Sequence, residues 1–287
     1  RHSRSFVSET GPVMHPRLTP GNRKVALAAL KGVIAADRYV DGELCAVASP
    51  VADLLRSADG GLDCQLLRGA GLLVIERQND FAFGQTTADG YCGYVRLDHL
   101  TAPEPMTHKV AALASHAYKL PDIKSRAIAA LSFGSKLAVA AQTGNFAKLT
   151  DGHFVPLQHL KPITHRHPDF IAVFEQFLGI PYLWGGNSIW GMDCSGAVQL
   201  ALNAAGIKCP RDTDMQITEL GDTLPPDAPL QRGDLIFWQG HVGVMTDPKT
   251  LIHANAHHMA VAIEPLANAV ARIQAASGGD ITALKRL

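Results

Sequence analysis

Residues 180–207 read IPYLWGGNSIWGMDCSGAVQLALNAAGI, and the change of texture inside this stretch decides the fold of the last ~120 residues. Segment 182–191 carries Gly185, Gly186 and Gly191 among aromatic residues, so it is no regular helix. Asp193, Cys194 and Ser195 follow. From there Val198, Leu202 and Ala205 fall at helical spacing until Gly206. Cys194 therefore stands at or just before a helix start. Free backbone N–H groups and the helix dipole favour a thiolate there, so a lowered pKa is expected.

A thiolate nucleophile needs a base within hydrogen-bond reach. The candidate is His241, which opens HVGVMT after the strand DLIFW at 234–238. The turn DPK at 247–249 follows, then LIHANA with His253. If the two strands pair about that turn in an even register, both histidines share a face, one diagonal step apart. His253 then accepts from one ring nitrogen of His241 and fixes its tautomer and angle. The histidine run 253–258 has Ala254 where a general-base Glu would stand, so no metal is expected. Cys45, Cys64, Cys92 and Cys209 read as small hydrophobes. Five cysteines without a CxxC pair argue against a disulfide framework and for a reducing compartment. Trp184 and Trp190 read equally as core or as cleft wall.

Working upstream, Pro168 to Leu178 holds apolar residues on one helix face, ended by Gly179 and Pro181. Lys161-Pro162 and the polar run behind it mark a boundary. Residues 40–103 and 104–163 are strand-like runs alternating with turn clusters, and they end alike, YVRLDHL against FVPLQHL. Two tandem β modules are inferred. Residues 1–39 form an extended lead-in, with a short helix expected over 23–38, and 164–287 form the catalytic domain. Acidic and basic residues balance at 26 each, which leaves no electrostatic footprint for nucleic acid or an anionic membrane. No apolar run reaches the length of a membrane span. No apolar leader stands at the start, although the chain begins with Arg1, and a cytoplasmic location is expected.

YLWGGNSIWGMDCSGAV, CPRDTDMQ, RGDLIFW, HVGVM and LIHAN, in that order, resemble the NlpC/P60 family of papain-like cysteine peptidases over 166–287. The β modules resemble bacterial SH3 domains, on GYCGYVRLDHL and GHFVPLQHL. The resemblance implies an α+β papain-like domain preceded by two small SH3-like barrels, and the subgroup that cleaves γ-D-glutamyl bonds in cell-wall peptides. It assigns Cys194 as nucleophile, His241 as base, His253 as orienter and Tyr182 as neighbour of the oxyanion hole. It gives Asp193, Ser195, Asp212, Thr213, Tyr91 and the acidic residue Asp63 to substrate binding. Thr213 stands where Ser is usual, and Met245 where Tyr is common. No cofactor is implied. The expected substrate is a murein tripeptide or tetrapeptide with a free N-terminal L-Ala. Rival readings are a secreted hydrolase acting on intact wall, an inactive wall-binding module, and an acyltransferase or amidase on the same fold.

Overall fold

A computed structural model describes residues 15–287. The charged tip Arg1, His2 and Arg4 and the first proline of the lead-in, Pro12, lie outside the described residues.

The first β unit is a seven-stranded antiparallel sheet running Leu62–Leu67, Val51–Leu55, Cys92–Arg96, Phe81–Thr86, Gly71–Gln78, Glu43–Val47 and Leu100–Thr101 in spatial order. Alternation buries Leu54, Leu72, Val74, Ala82 and Val95 as its core. The second unit combines a five-stranded sheet over 114–156 with a three-stranded one built on His108–Val110. The shared ending seen in the sequence has a shared geometry. Ser49 Oγ meets His99 Nδ1 at 2.6 Å, and Ser115 Oγ meets His159 Nδ1 at 2.8 Å. In both units the carbonyl of that histidine accepts a backbone N–H, from Ala48 and from Ala111.

The helix expected over 23–38 is not there. Val25–Leu27 is a strand paired in parallel with Arg38–Val40, joined through a short 3-10 turn. Val25 is buried with Ile75, Phe83 and Cys92 on the outer face of the first unit, and Gly32 adopts φ +83°. Burial against an existing sheet outweighs weak helical periodicity, and the left-handed glycine ends the segment's continuity.

The last domain has four helices: α1 (Phe170–Glu175), α2 (Cys194–Ala204), α3 (Thr213–Glu219) and α4 (Leu266–Ala275). Its strands are β1 (Asp222–Thr223), β2 (Leu235–Trp238), β3 (His241–Met245), β4 (Thr250–Asn255), β5 (Ala260–Pro265) and β6 (Ala283–Arg286). They pair antiparallel in the order β1-β6-β2-β3-β4-β5. Val242, Val244, Ile252 and Ala254 face α1 and α2, and the opposite face carries Met245 and Leu251 against α4. Asp169 caps α1 by accepting from the N–H groups of Ile171 and Ala172. Leu67 and Phe133 of the two β units enter the core formed by α1 and α2. Each such fully buried side chain contributes ~1.5–3 kcal/mol, so both units are welded to the catalytic domain.

Candidate active site

Cys194 is the first residue of α2 and is buried, its sulfur 3.9 Å from Thr213 Oγ1. The backbone N–H of Val242, next in sequence to His241, donates to it. Burial and the neighbouring Asp193 push the thiol up to about 11, against the opposing Val242 N–H, Thr213 hydroxyl and Arg211. The thiolate expected from the helix start is thus corrected to a neutral thiol at rest. Desolvation of a charged sulfur outweighs the helix dipole here.

The histidine pair is assembled by strand register. Val244 pairs with Ile252 and Met245 with Leu251. Continued toward the strand start, that register sets His253 opposite Gly243 and one diagonal step from His241. Gly243 is required by this packing, because a Cβ there would meet Leu251 at 2.6 Å and the His253 Cβ at 3.3 Å. His241 Nε2 lies 2.8 Å from His253 Nδ1, and His253 Nε2 lies 2.7 Å from Glu264 Oε1.

Glu264 on β5 was not singled out by the sequence, and it decides the protonation of the whole line. Burial would raise its carboxyl, but hydrogen bonds from Arg272 of α4 and from His253 hold it down to about 2. Arg272 grips both its oxygens, at 2.5 and 2.6 Å. An ionised carboxylate only accepts, so His253 donates from Nε2. Burial keeps His253 neutral despite that carboxylate, so its Nδ1 is bare and accepts from His241 Nε2–H. His241 is kept neutral by burial and by His253. Its Nδ1 is therefore the bare nitrogen, the atom free to take a proton. A signal did exist in the sequence: one acid in an otherwise apolar strand, AVAIEP. Glu264, His253 and His258 bring ligand-type atoms within 4.8 Å of one another. Both Glu264 oxygens and both His253 nitrogens are already engaged in the network just described.

Tyr182 is half-buried, and burial together with Cys194 and Asp193 pushes its phenol up to about 12. It stays protonated, and so able to donate, at any ordinary pH.

Asp193 and Ser195 have other duties than the substrate contact expected of them. Asp193 caps α2 through the Gly196 N–H at 2.7 Å, accepts from the Gly185 N–H at 2.9 Å, and pairs with Arg211 at 2.9 Å. Ser195 Oγ accepts from Arg211 at 2.9 Å. Arg211 is 2% exposed, so this ion pair is internal. The carboxylate is saturated by inward-facing donors, and it shapes the loop and helix start around Cys194 rather than receiving a ligand. Arg211 lies in the PRDTDMQ motif but was missed, because only the folded chain reveals the partner of a buried cation.

Asp212, Thr213 and Tyr91 do come together. Tyr91 of the first β unit donates to Asp212 Oδ2 at 2.9 Å, and the adjacent Thr213 touches the thiol. Asp63 lies on the edge strand Leu62–Leu67 of that unit, paired with Arg56 at 2.7 Å. Its backbone abuts Gly185, where φ is +75° and an added Cβ would meet Leu62 at 2.8 Å. The first β unit therefore forms one wall beside Cys194. Arg17, from the lead-in, also pairs with Asp212 and Asp214. Trp184 and Trp190 are exposed, at 68% and 46%, which removes them from the core.

A thiol at a helix start, touched by the backbone N–H next to a neutral imidazole whose tautomer is fixed from behind, is the layout of a cysteine hydrolase. Residues 179–275 match the NlpC/P60 family, and residues 54–100 match the bacterial dipeptidyl-peptidase Sh3 domain. The chain thus carries an NlpC/P60 peptidase domain behind a bacterial SH3 domain. It is 29% identical over 239 residues to the gamma-D-glutamyl-L-lysine dipeptidyl-peptidase of Bacillus cereus, covering 71% of each chain. With the enzyme of the same name from Bacillus subtilis it shares 27% identity, over 68% of this chain and 73% of that one. A crystal structure of an NlpC/P60 family protein from Bacillus cereus superposes with a TM-score of 0.72, at 20% identity, over 85% of this chain and 99% of that one. That likeness is one of fold.

Proposed function

We propose that this peptidase hydrolyses the γ-D-glutamyl–diamino acid amide bond of short murein peptides that carry a free N-terminal L-Ala. The observation that carries this reading is the hydrogen bond from Tyr91 to Asp212, beside the Thr213 that touches Cys194. It sets Asp212, a carboxylate of the catalytic domain, against a wall made by another domain, close to the nucleophile. A peptide whose chain ends there, with its ammonium at the wall, suits such a cleft, and a long or N-acylated chain does not. The two relatives named for γ-D-glutamyl-L-lysine cleavage support the bond type.

His241 Nδ1 takes the Cys194 proton as sulfur bonds to the γ-carbonyl carbon. The oxyanion accepts from the Cys194 backbone N–H and the Tyr182 hydroxyl. The imidazolium formed at His241 is balanced by Glu264 through His253. The C–N bond then breaks as the departing amine receives the proton from His241. Water, deprotonated by His241, cleaves the thioester, releasing L-Ala-γ-D-Glu and restoring the thiol.

The test is incubation of L-Ala-γ-D-Glu-diaminopimelate and its lysine counterpart with the wild type and with Cys194→Ala. Free diamino acid released by the wild type alone is expected. No release, or equal release by both, refutes the reaction. Equal cleavage of N-acetylated and free peptides refutes the closed end of the cleft.

A further inference from the structure

Asp212 stands at the N-cap of α3 but makes no capping hydrogen bond. A capping carboxylate normally stabilises its helix, and this one gives that up. It is turned to Tyr91 on one side and to the guanidinium of Arg17 on the other. Arg17 reaches it from far away in sequence, on a segment preceding both β units, and grips Asp214 as well. The segment is anchored independently of this contact. Leu18 packs on the core of the first unit, Thr19 Oγ1 donates to the His15 carbonyl at 2.8 Å, and the Leu27 N–H donates to the Pro20 carbonyl at 3.0 Å.

From this we infer that Arg17 is a specificity-determining residue: an internal cation that competes with the substrate ammonium for Asp212. The inference rests on the proposed reading of Asp212 as the group that receives that ammonium. Asp63, the other carboxylate of this wall, is likewise covered by an arginine, Arg56. Both acids meet a donor from the chain itself, so a ligand gains only the difference between its own contacts and the guanidinium's. A weak or poorly placed cation does not displace Arg17. A primary ammonium on a peptide held by the rest of the cleft does. The apparent affinity is lowered by the fraction of molecules in which Asp212 is covered. Arg17 thus sharpens selection for an ammonium at the cost of tight binding.

The full chain carrying Arg17→Gln tests this, with L-Ala-γ-D-Glu and its N-acetyl form as calorimetric ligands and L-Ala-γ-D-Glu-lysine as substrate. Freeing Asp212 is expected to tighten the free-amine dipeptide about fivefold, the order of a few partly exposed ion pairs, and to lower KM alike with kcat within about twofold. The N-acetyl dipeptide gains nothing. Arg17→Lys restores most of the wild-type affinity. Unchanged or weaker binding by Arg17→Gln overturns the inference, as does an equal gain for the N-acetyl ligand. Turnover of the substrate without the Arg17→Gln gain removes this inference alone. Ammonium-selective binding without turnover by the wild type removes only the proposed reaction.

Discussion

The two sides of Cys194 are built by different means. On one side a line of hydrogen bonds runs His241, His253, Glu264, Arg272, all from β3, β4, β5 and α4. On the other side Arg17, Asp63, Tyr91, Asp193, Arg211 and Asp212 converge from three separate parts of the chain, with Arg17 and Asp212 195 residues apart. The first side is a local product of strand register, and it sets where a proton sits. The second is a product of domain docking, and on the proposed reading it receives the end of the peptide. Damage to the first should therefore read in kcat and pH dependence, and damage to the second in KM and stability.

The sharpest break is His241→Ala, which leaves the thiol without an acceptor. A fall in kcat of about 10³-fold with little change in KM is expected from single-turnover and steady-state rates. Glu264→Gln probes the same line two residues further back. An amide at this position can donate to His253 Nε2, which reverses both tautomers and puts a proton on His241 Nδ1. A loss of about 10²-fold in kcat is expected, with KM kept, because the base is then in the wrong form. If KM changes instead, the division between the two sides is wrong.

Alkylation by iodoacetamide reads the resting thiol directly. The Cys194 pKa is raised to about 11, so the thiol is protonated at neutrality and its thiolate fraction grows with pH. The rate at Cys194 should climb about tenfold per pH unit from 8 to 10. A plateau already reached at pH 7 would show a preformed thiolate and restore the reading based on the helix start. On the other side of the sulfur, Arg211→Met leaves Asp193 buried and unpaired. That should cost about 3–5 kcal/mol of stability, measured by urea unfolding. The local geometry of α2 would carry the damage into activity only secondarily.

The same division explains what was legible. Glycines, caps and apolar spacing around 180–207 are local signals, and α2 begins at Cys194 and ends before Gly206 as they require. His241 and His253 were legible because two strands joined by a short turn have few registers. Glu264 was within reach of the same logic one strand further on, where His253 pairs with Ala262 and Glu264 lies two residues beyond. The Asp193–Arg211 pair was not legible, since each motif was visible but nothing in either motif names its partner. The segment over 23–38 was misjudged because its apolar residues answer to an outer sheet face supplied by residues 75–92. Arg17 belongs to this second kind: a lone cation in a proline-flanked segment acquires meaning only once Asp212 lies beside it.

The two β units supply the finest test. Counted back from the closing leucines Leu100 and Leu160, Tyr91 and Asp151 occupy equivalent places. In the first unit that place sends a phenol into the catalytic domain, to Asp212. In the second it sends a carboxylate sideways, to Arg68 of the first unit. Tyr91→Phe should raise KM for a free-amine peptide about fivefold, the worth of one charge-assisted hydrogen bond, with kcat nearly kept. Asp151→Asn should leave KM and kcat alone and lower stability by no more than ~1 kcal/mol, since its pair is partly exposed. A KM effect at Asp151 equal to that at Tyr91 would mean that both units shape the cleft. A null result there with a clear one at Tyr91 would leave the second unit as a brace, which holds the first unit's wall against the nucleophile through Arg68.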